Sequence, residues 1–241
     1  MMHCSITSLI LTGIVILCLA GGGAAQPEDP SATIYQVSSW GPFEEGDYTE
    51  VMSVDDLKEL GTLGIGGYED LNGELLELDG EVWQITHDRV VSQPSGDTGV
   101  CFATTVRFDP SLTLPCNETT SRDDLFAMIN QSFPDHDTIY AYRIDGDFSR
   151  VEVRSIPPQT QPYPPLPDVI ARQTIFPLSG VSGSVGGFWF PDWMQGVNAA
   201  GFHSHFLTSG HDAGGHLLNC TAENVTISIQ PIHRFAMVLP D

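Results

Sequence analysis

Short apolar runs broken by Gly, Asp and Pro dominate this chain, and only two stretches carry clear helical spacing. SVDDLKEL offers Ser53 as an N-cap with Asp55 and Asp56 in the first turn, which predicts a short helix. SRDDLFAMINQSF repeats that grammar, with Ser121 as cap and Leu125, Met128 and Ile129 on one face. ELLELDGEVWQI predicts a hairpin, because two apolar-rich runs meet at Asp79-Gly80, a dipeptide suited to a type I′ turn. TIYAYRIDGDFSRVEVRSI predicts another around Asp145-Gly146. Further on, SGSVGGFWFPDW, GFHSHFL, HLLNC and VTISIQPIHRFAMVL read as strands. The sum is an α/β chain of the α+β kind: strand-rich, without repeats, and built as two lobes of mixed sheet.

PPQTQPYPPLPDV carries six prolines between Pro157 and Pro167. Proline cannot donate to a sheet ladder, so this stretch predicts an extended connector and the lobe boundary. Residues 26–156 would then form an N-terminal α/β lobe and residues 157–241 a β-rich C-terminal lobe, together one functional domain. Residues 1–25 read as a secretory signal peptide: Leu9 to Ala20 is apolar but short for a bilayer span, and small residues at Gly23 and Ala25 fit cleavage after Ala25. The segment before it, MMHCSITS, lacks the Lys or Arg such signals usually carry. The expected localisation is secreted, with no membrane attachment after cleavage.

Charge narrows the partners. The 241 residues carry 31 Asp and Glu against 9 Lys and Arg, a net charge of -22. A polyphosphate needs a basic face, so nucleic acid is excluded as a partner, and an anionic membrane surface is disfavoured likewise. Of five cysteines, Cys4 and Cys18 fall in the signal region. Cys101 and Cys116 flank FATTVRFDPSLTLP, read as an outward strand and its return, so a local disulfide is expected, with Cys220 a free thiol. Asn-x-Ser/Thr sequons at Asn117, Asn130, Asn219 and Asn224 make the mature chain a candidate glycoprotein.

GFHSHFLTSGHDAGGHLLNC holds four of the eight histidines. On a strand His203 and His205 share one face, while Phe202, Ser204 and Phe206 take the other. TSGHDAGG has turn composition. A turn centred between Gly210 and His211 would bring His216 opposite His205. Three imidazoles would then converge with a fourth position open, the arrangement of a catalytic zinc. His211 falls in the turn as an exposed bystander. His3, His87, His136 and His233 read as surface or hydrogen-bonded residues. A cupin also begins its metal motif with H-x-H, but it expects a Glu soon afterwards and FLTSG has none.

TIYQVSSWGPFEEGDY, LGIGGYEDLNGELLELDGEVWQI, YRIDGDFSRVEVRSIPPQTQPYPPL and GFWFPDWMQGVNAAGFHSHFLTSGHDAGGHLLN occur here in that order. From about Thr33 to Pro240 the chain resembles the acetolactate decarboxylases. That resemblance implies a zinc-dependent carboxy-lyase converting 2-acetolactate to acetoin and carbon dioxide, on a two-lobe α/β fold, as a homodimer. It places His203, His205 and His216 on the three zinc ligands, Glu74 on a catalytic glutamate and Arg154 on an active-site arginine. Two positions depart from the family pattern. Gly67 stands where a Thr is common, and the family's glutamate in the C-terminal tail has no counterpart before Leu239-Pro240-Asp241. Apart from the resemblance, Glu74, Glu77 and Glu81 read alike, as solvated strand carboxylates. The alternatives are another secreted metalloenzyme on the same scaffold with an altered substrate, and a non-catalytic secreted protein that binds zinc.

Overall fold

The computed structural model describes residues 33–240, so the expected signal peptide, with Cys4 and Cys18, lies outside the described residues. In chain order the first half comprises β1 (Thr33–Val37), α1 (Trp40–Glu45), β2 (Met52–Ser53), α2 (Val54–Leu60), β3 (Leu63–Tyr68), β4 (Glu74–Leu78), β5 (Glu81–Ile85), β6 (Val91–Ser92) and β7 (Gly99–Val106). The second half comprises β8 (Leu112–Cys116), β9 (Thr120–Ser121), α3 (Arg122–Gln131), β10 (Ile139–Ser155), α4 (Leu166–Ile170), β11 (Thr174–Phe190), β12 (Gly201–Thr208), β13 (Gly214–Ile232) and β14 (Arg234–Val238).

The two helices predicted from capping grammar form as expected. Ser53 accepts from the Asp56 N–H and Ser121 from the Asp124 N–H, each satisfying a backbone donor left over in the first turn. Asp79-Gly80 turns β4 into β5, with both residues at positive φ, as the type I′ geometry requires.

Two sheets carry the fold. The first runs β14-β1-β7-β3-β4-β5-β6, with β2 on β7. The second runs β10-β11-β12-β13-β8, with β9 on β13. Because β13 also pairs with β10, strands β10 to β13 close into a ring. One face of the ring strands packs Tyr142, Val185, Phe206 and Ile227 against Leu125 and Ile129 of α3. The other face meets the first sheet, where Phe188, Phe190 and Leu207 pack on Ile65, Leu76 and Val106. That inter-sheet core fixes the relative position of β4 and β12, on which the site depends.

Three expectations are corrected. Asp145-Gly146 makes no hairpin, because β10 continues through it for 17 residues. Asp145 is held in the sheet by Arg143 at 2.8 Å and by the Ser184 hydroxyl at 2.6 Å. Gly146 serves close approach instead: a Cβ there would lie 2.1 Å from the Asn224 carbonyl oxygen of β13, at a φ of +148°. The proline-rich stretch does not mark a change of sheet either, since β10 and β11 on either side of it pair with each other along their length. That change falls earlier, between β7 and β8. For the same reason no Cys101–Cys116 disulfide forms. Cys101 lies on β7 of the first sheet and Cys116 on β8 of the second, and both, like Cys220, are buried free thiols.

Candidate functional site

The β12–β13 hairpin places His205 directly opposite His216, in the register that the turn composition predicted. His203 lies two residues back on the same face, so the three ring centroids stand 5.0 to 5.4 Å apart. One ligand-capable atom from each ring lies within 4.8 Å of the others. Gly215 makes this possible. It sits at a φ of +142°, and a Cβ there would lie 2.4 Å from the Arg154 carbonyl oxygen. Only its absence lets β13 come so close to β10, bringing His216 beside Arg154.

Arg154 is in register with His216 on the other side of β13. From there its Nη1 donates to Glu74 Oε1 at 3.1 Å. Glu74 comes from the first residue of β4, so the pair bridges the two sheets, and both side chains are buried. Two more bonds tie the sheets at this point. His205 Nδ1–H donates to the Leu75 carbonyl at 2.7 Å, and the Ser155 hydroxyl donates to the Ile85 carbonyl at 2.8 Å. With its proton on Nδ1, His205 turns the lone pair of Nε2 inward, 3.4 Å from Glu74 Oε2.

Electrostatics follow from burial. Desolvation lowers the His203 pKa to about 4, and the Arg154 charge lowers it further. His205 and His216 are held well below the ordinary histidine range, first by burial and then by neighbouring positive charge. All three are therefore neutral near pH 7, the form that binds a metal ion. The buried His216 Nδ1 has no hydrogen-bond partner among the described residues. An orphaned imidazole nitrogen next to two neutral imidazoles is a donor set that fits zinc. Glu74 moves the other way: burial pushes its carboxyl up to about 7, against the pull of Arg154.

These groups open into a cavity of about 320 Å³. All five residues singled out from the sequence, Glu74, Arg154, His203, His205 and His216, line it. Its remaining wall is largely apolar, with Trp40, Phe43, Phe102, Leu166, Ile170 and Phe202. Trp40, Phe43 and Phe102 form one aromatic cluster under α1. Strand alternation sets Phe202 on the face away from His203, yet it reaches the cavity too. The rest of this wall was not singled out from the sequence; α1 and α4, of six and five residues, are too short to show a periodicity. Gly67 also lines the cavity, and a Cβ there would meet only Leu71 Cδ1 at 3.1 Å and the Gly73 carbonyl at 3.8 Å.

The other acids and histidines separate. Glu81 is exposed, as expected, but Glu77 is not a solvated carboxylate: it is fully buried on the opposite face of β4, accepting from the Thr105 hydroxyl at 2.5 Å. His211 is exposed in the hairpin turn, yet its ring packs 4.2 Å from the Trp83 ring of β5. It pins the hairpin tip to the first sheet and does not enter the triad.

Fold and site together define a class: two-sheet α/β proteins in which a His triad able to hold a metal ion shares a small-molecule pocket with a buried carboxylate–guanidinium pair. Within that class the chain belongs to the alpha-acetolactate decarboxylase family of carboxy-lyases, whose model matches residues 34–241. It is 36% identical over 210 residues to the alpha-acetolactate decarboxylase of Methanosarcina mazei, covering 87% of this chain and 73% of that one. With the Brevibacillus brevis enzyme of the same name it shares 32% identity over 217 residues, 90% of this chain and 76% of that one. The crystal structure of alpha-acetolactate decarboxylase from Bacillus subtilis strain 168 superposes with a TM-score of 0.85 at 30% identity, covering 87% of this chain and 89% of that one.

Proposed function

We propose that this chain is a secreted, zinc-dependent decarboxylase that converts 2-acetolactate to acetoin and carbon dioxide. The observation that carries the reading is the register of Arg154 with His216, because it sets a fixed cation and a protonatable carboxyl beside the His triad in one cavity. His203, His205 and His216 would hold the zinc. When bound, it supplies a Lewis acid for the ketone and hydroxyl oxygens of the substrate.

The protein's own groups account for binding and proton delivery. Arg154 is the one cationic side chain lining the cavity among the described residues. Its planar guanidinium suits the substrate carboxylate and the enediolate oxygens that follow. Breaking the carboxylate bond releases carbon dioxide and leaves an electron pair on the substrate carbon, conjugated with the former ketone. Protonation of that carbon completes acetoin. Glu74, raised to about 7, is protonated in about half of the molecules at neutral pH, where an ordinary glutamate would be almost wholly ionised. The apolar wall of Trp40, Phe43 and Phe102 excludes water and holds the substrate's methyl groups.

Chelator treatment followed by zinc restoration tests the cofactor: acetoin release should vanish and return. Secretion is tested by mass spectrometry of the exported chain, which should begin at Gln26. A cell-retained chain with residues 1–25 intact would contradict it.

A further inference from the structure

Asn198 is buried in the loop that leads into β12, three residues before the strand begins at Gly201. Its amide is bonded at both ends. Nδ2 donates to Gln36 Oε1 at 2.8 Å and to Thr104 Oγ1 at 3.1 Å, while Oδ1 accepts from the Ala199 N–H at 2.7 Å. Gln36 extends the network, its Nε2 donating to the Val197 carbonyl at 2.7 Å and the Ser38 carbonyl at 3.1 Å. Gln36 and Thr104 face each other across β1 and β7, and both are buried. The first sheet thus presents a two-point receptor for one amide of the second. Buried polar groups are costly unless every partner is supplied, and here they are supplied.

The ladder of β12 shows what the grip is for. On the β13 side β12 pairs only at His205, Phe206 and Leu207. Upstream, Phe202 and His203 have partners on β11 alone, Trp189 and Phe188. His203 therefore lies beyond the two-sided ladder that fixes His205 and His216. The next polar anchor back along the chain is Asn198, and Ala199, Phe202 and His203 wall the same cavity.

We propose that Asn198, gripped by Gln36 and Thr104, is a positioning residue that sets His203 against His205 and His216 for metal binding. This rests on the metal reading of the triad. The test compares N198A, T104V, T104S and a control, T105V, in the full chain. Thr105 is the next residue on β7 and points to the other face, where it bonds Glu77 and the Leu63 carbonyl. Zinc affinity is read by competition with a chromophoric chelator, alongside kcat and KM for acetoin release and the thermal midpoint. N198A and T104V should bind zinc about tenfold more weakly, the lower end of what outer-sphere changes cost. T104S, which keeps the hydroxyl, should bind as the native chain does, and T105V should lower only the midpoint. Should N198A fail to fold, the contrast between T104V and T104S decides. Native zinc affinity in N198A and T104V, with a midpoint lowered as in T105V, would overturn the proposal. A native chain that binds no zinc overturns it too, whereas zinc binding without acetoin release sinks only the proposed function and leaves the affinity comparison decisive.

Discussion

Arg154 and Glu74 are 80 residues apart in sequence and belong to different sheets, yet they meet at 3.1 Å, buried, beside the His triad. Glu74→Gln keeps the shape and a hydrogen-bond acceptor for Arg154 but cannot release a proton to carbon. It should lower kcat by about 100-fold or more, in the range of general acid catalysis, with zinc content unchanged. Steady-state acetoin release and metal analysis of one preparation check both effects. Native kcat in E74Q would remove Glu74 from the proton transfer.

Arg154→Lys keeps the charge and loses the planar fork. A hydrogen bond to a charged group is worth about 1.5–3 kcal/mol, so kcat/KM should drop roughly tenfold to hundredfold. The loss should exceed any change in thermal midpoint. A substitution that alters only the midpoint would mean that Arg154 serves the inter-sheet contact alone.

The triad makes a metal prediction. His203→Ala and His216→Ala should each abolish stoichiometric zinc, measured by atomic emission after dialysis. His211→Ala should retain it, because His211 packs on Trp83 outside the triad. Loss of zinc in H211A together with retention in H203A would reverse the assignment.

Glu77 gives the pH dependence. Burial raises its carboxyl to about 7, while the Thr105 hydroxyl, Lys58 and Arg107 pull it down. In the unfolded chain it titrates near 4.3. The folded state therefore binds the extra proton, so this contribution is complete below about pH 4 and is lost as pH rises through 7. E77Q should lack that slope, gaining on the native chain by up to about 3 kcal/mol between pH 4 and 8. Urea unfolding at several pH values measures the difference. Parallel profiles would show that Glu77 ionises as easily folded as unfolded.

Thiol chemistry tests the corrected cysteine reading. Burial pushes the Cys220 thiol up to about 11 and Cys101 higher still. A high, buried thiol pKa suppresses the reactive thiolate. Cys101 and Cys220 on this ground, and Cys116 through its burial alone, should resist alkylation in the native chain and react after unfolding without reductant. A disulfide-linked peptide joining Cys101 to Cys116 would contradict the two-sheet placement.

The site was more legible than the fold around it, for physical reasons. His203, His205 and His216 lie within one hairpin, where period-two alternation and turn composition fix the register. The capped helices were readable because Ser53 and Ser121 satisfy local donors. Asp145-Gly146 misled because the same dipeptide that turns a hairpin at Asp79-Gly80 also permits the close approach of β13 at Gly146, and only a distant strand tells the two apart. Cys101 and Cys116 misled likewise, since the switch of sheet between them is a long-range event. Glu74 and Glu77 occupy opposite faces of one strand, and both are buried because each face is covered by a different layer. Spacing alone could not rank them, and the family resemblance did. The Asn198 anchor left no local signal, as its partners Gln36 and Thr104 are far away in sequence.

Decarboxylation of 2-acetolactate in this cavity is read most plainly from the yield of acetoin and carbon dioxide when the purified, zinc-loaded chain is given racemic 2-acetolactate. Both products should form in equal amounts, and H203A should release neither. A zinc-loaded native chain that gives no acetoin and no carbon dioxide would rule the reaction out.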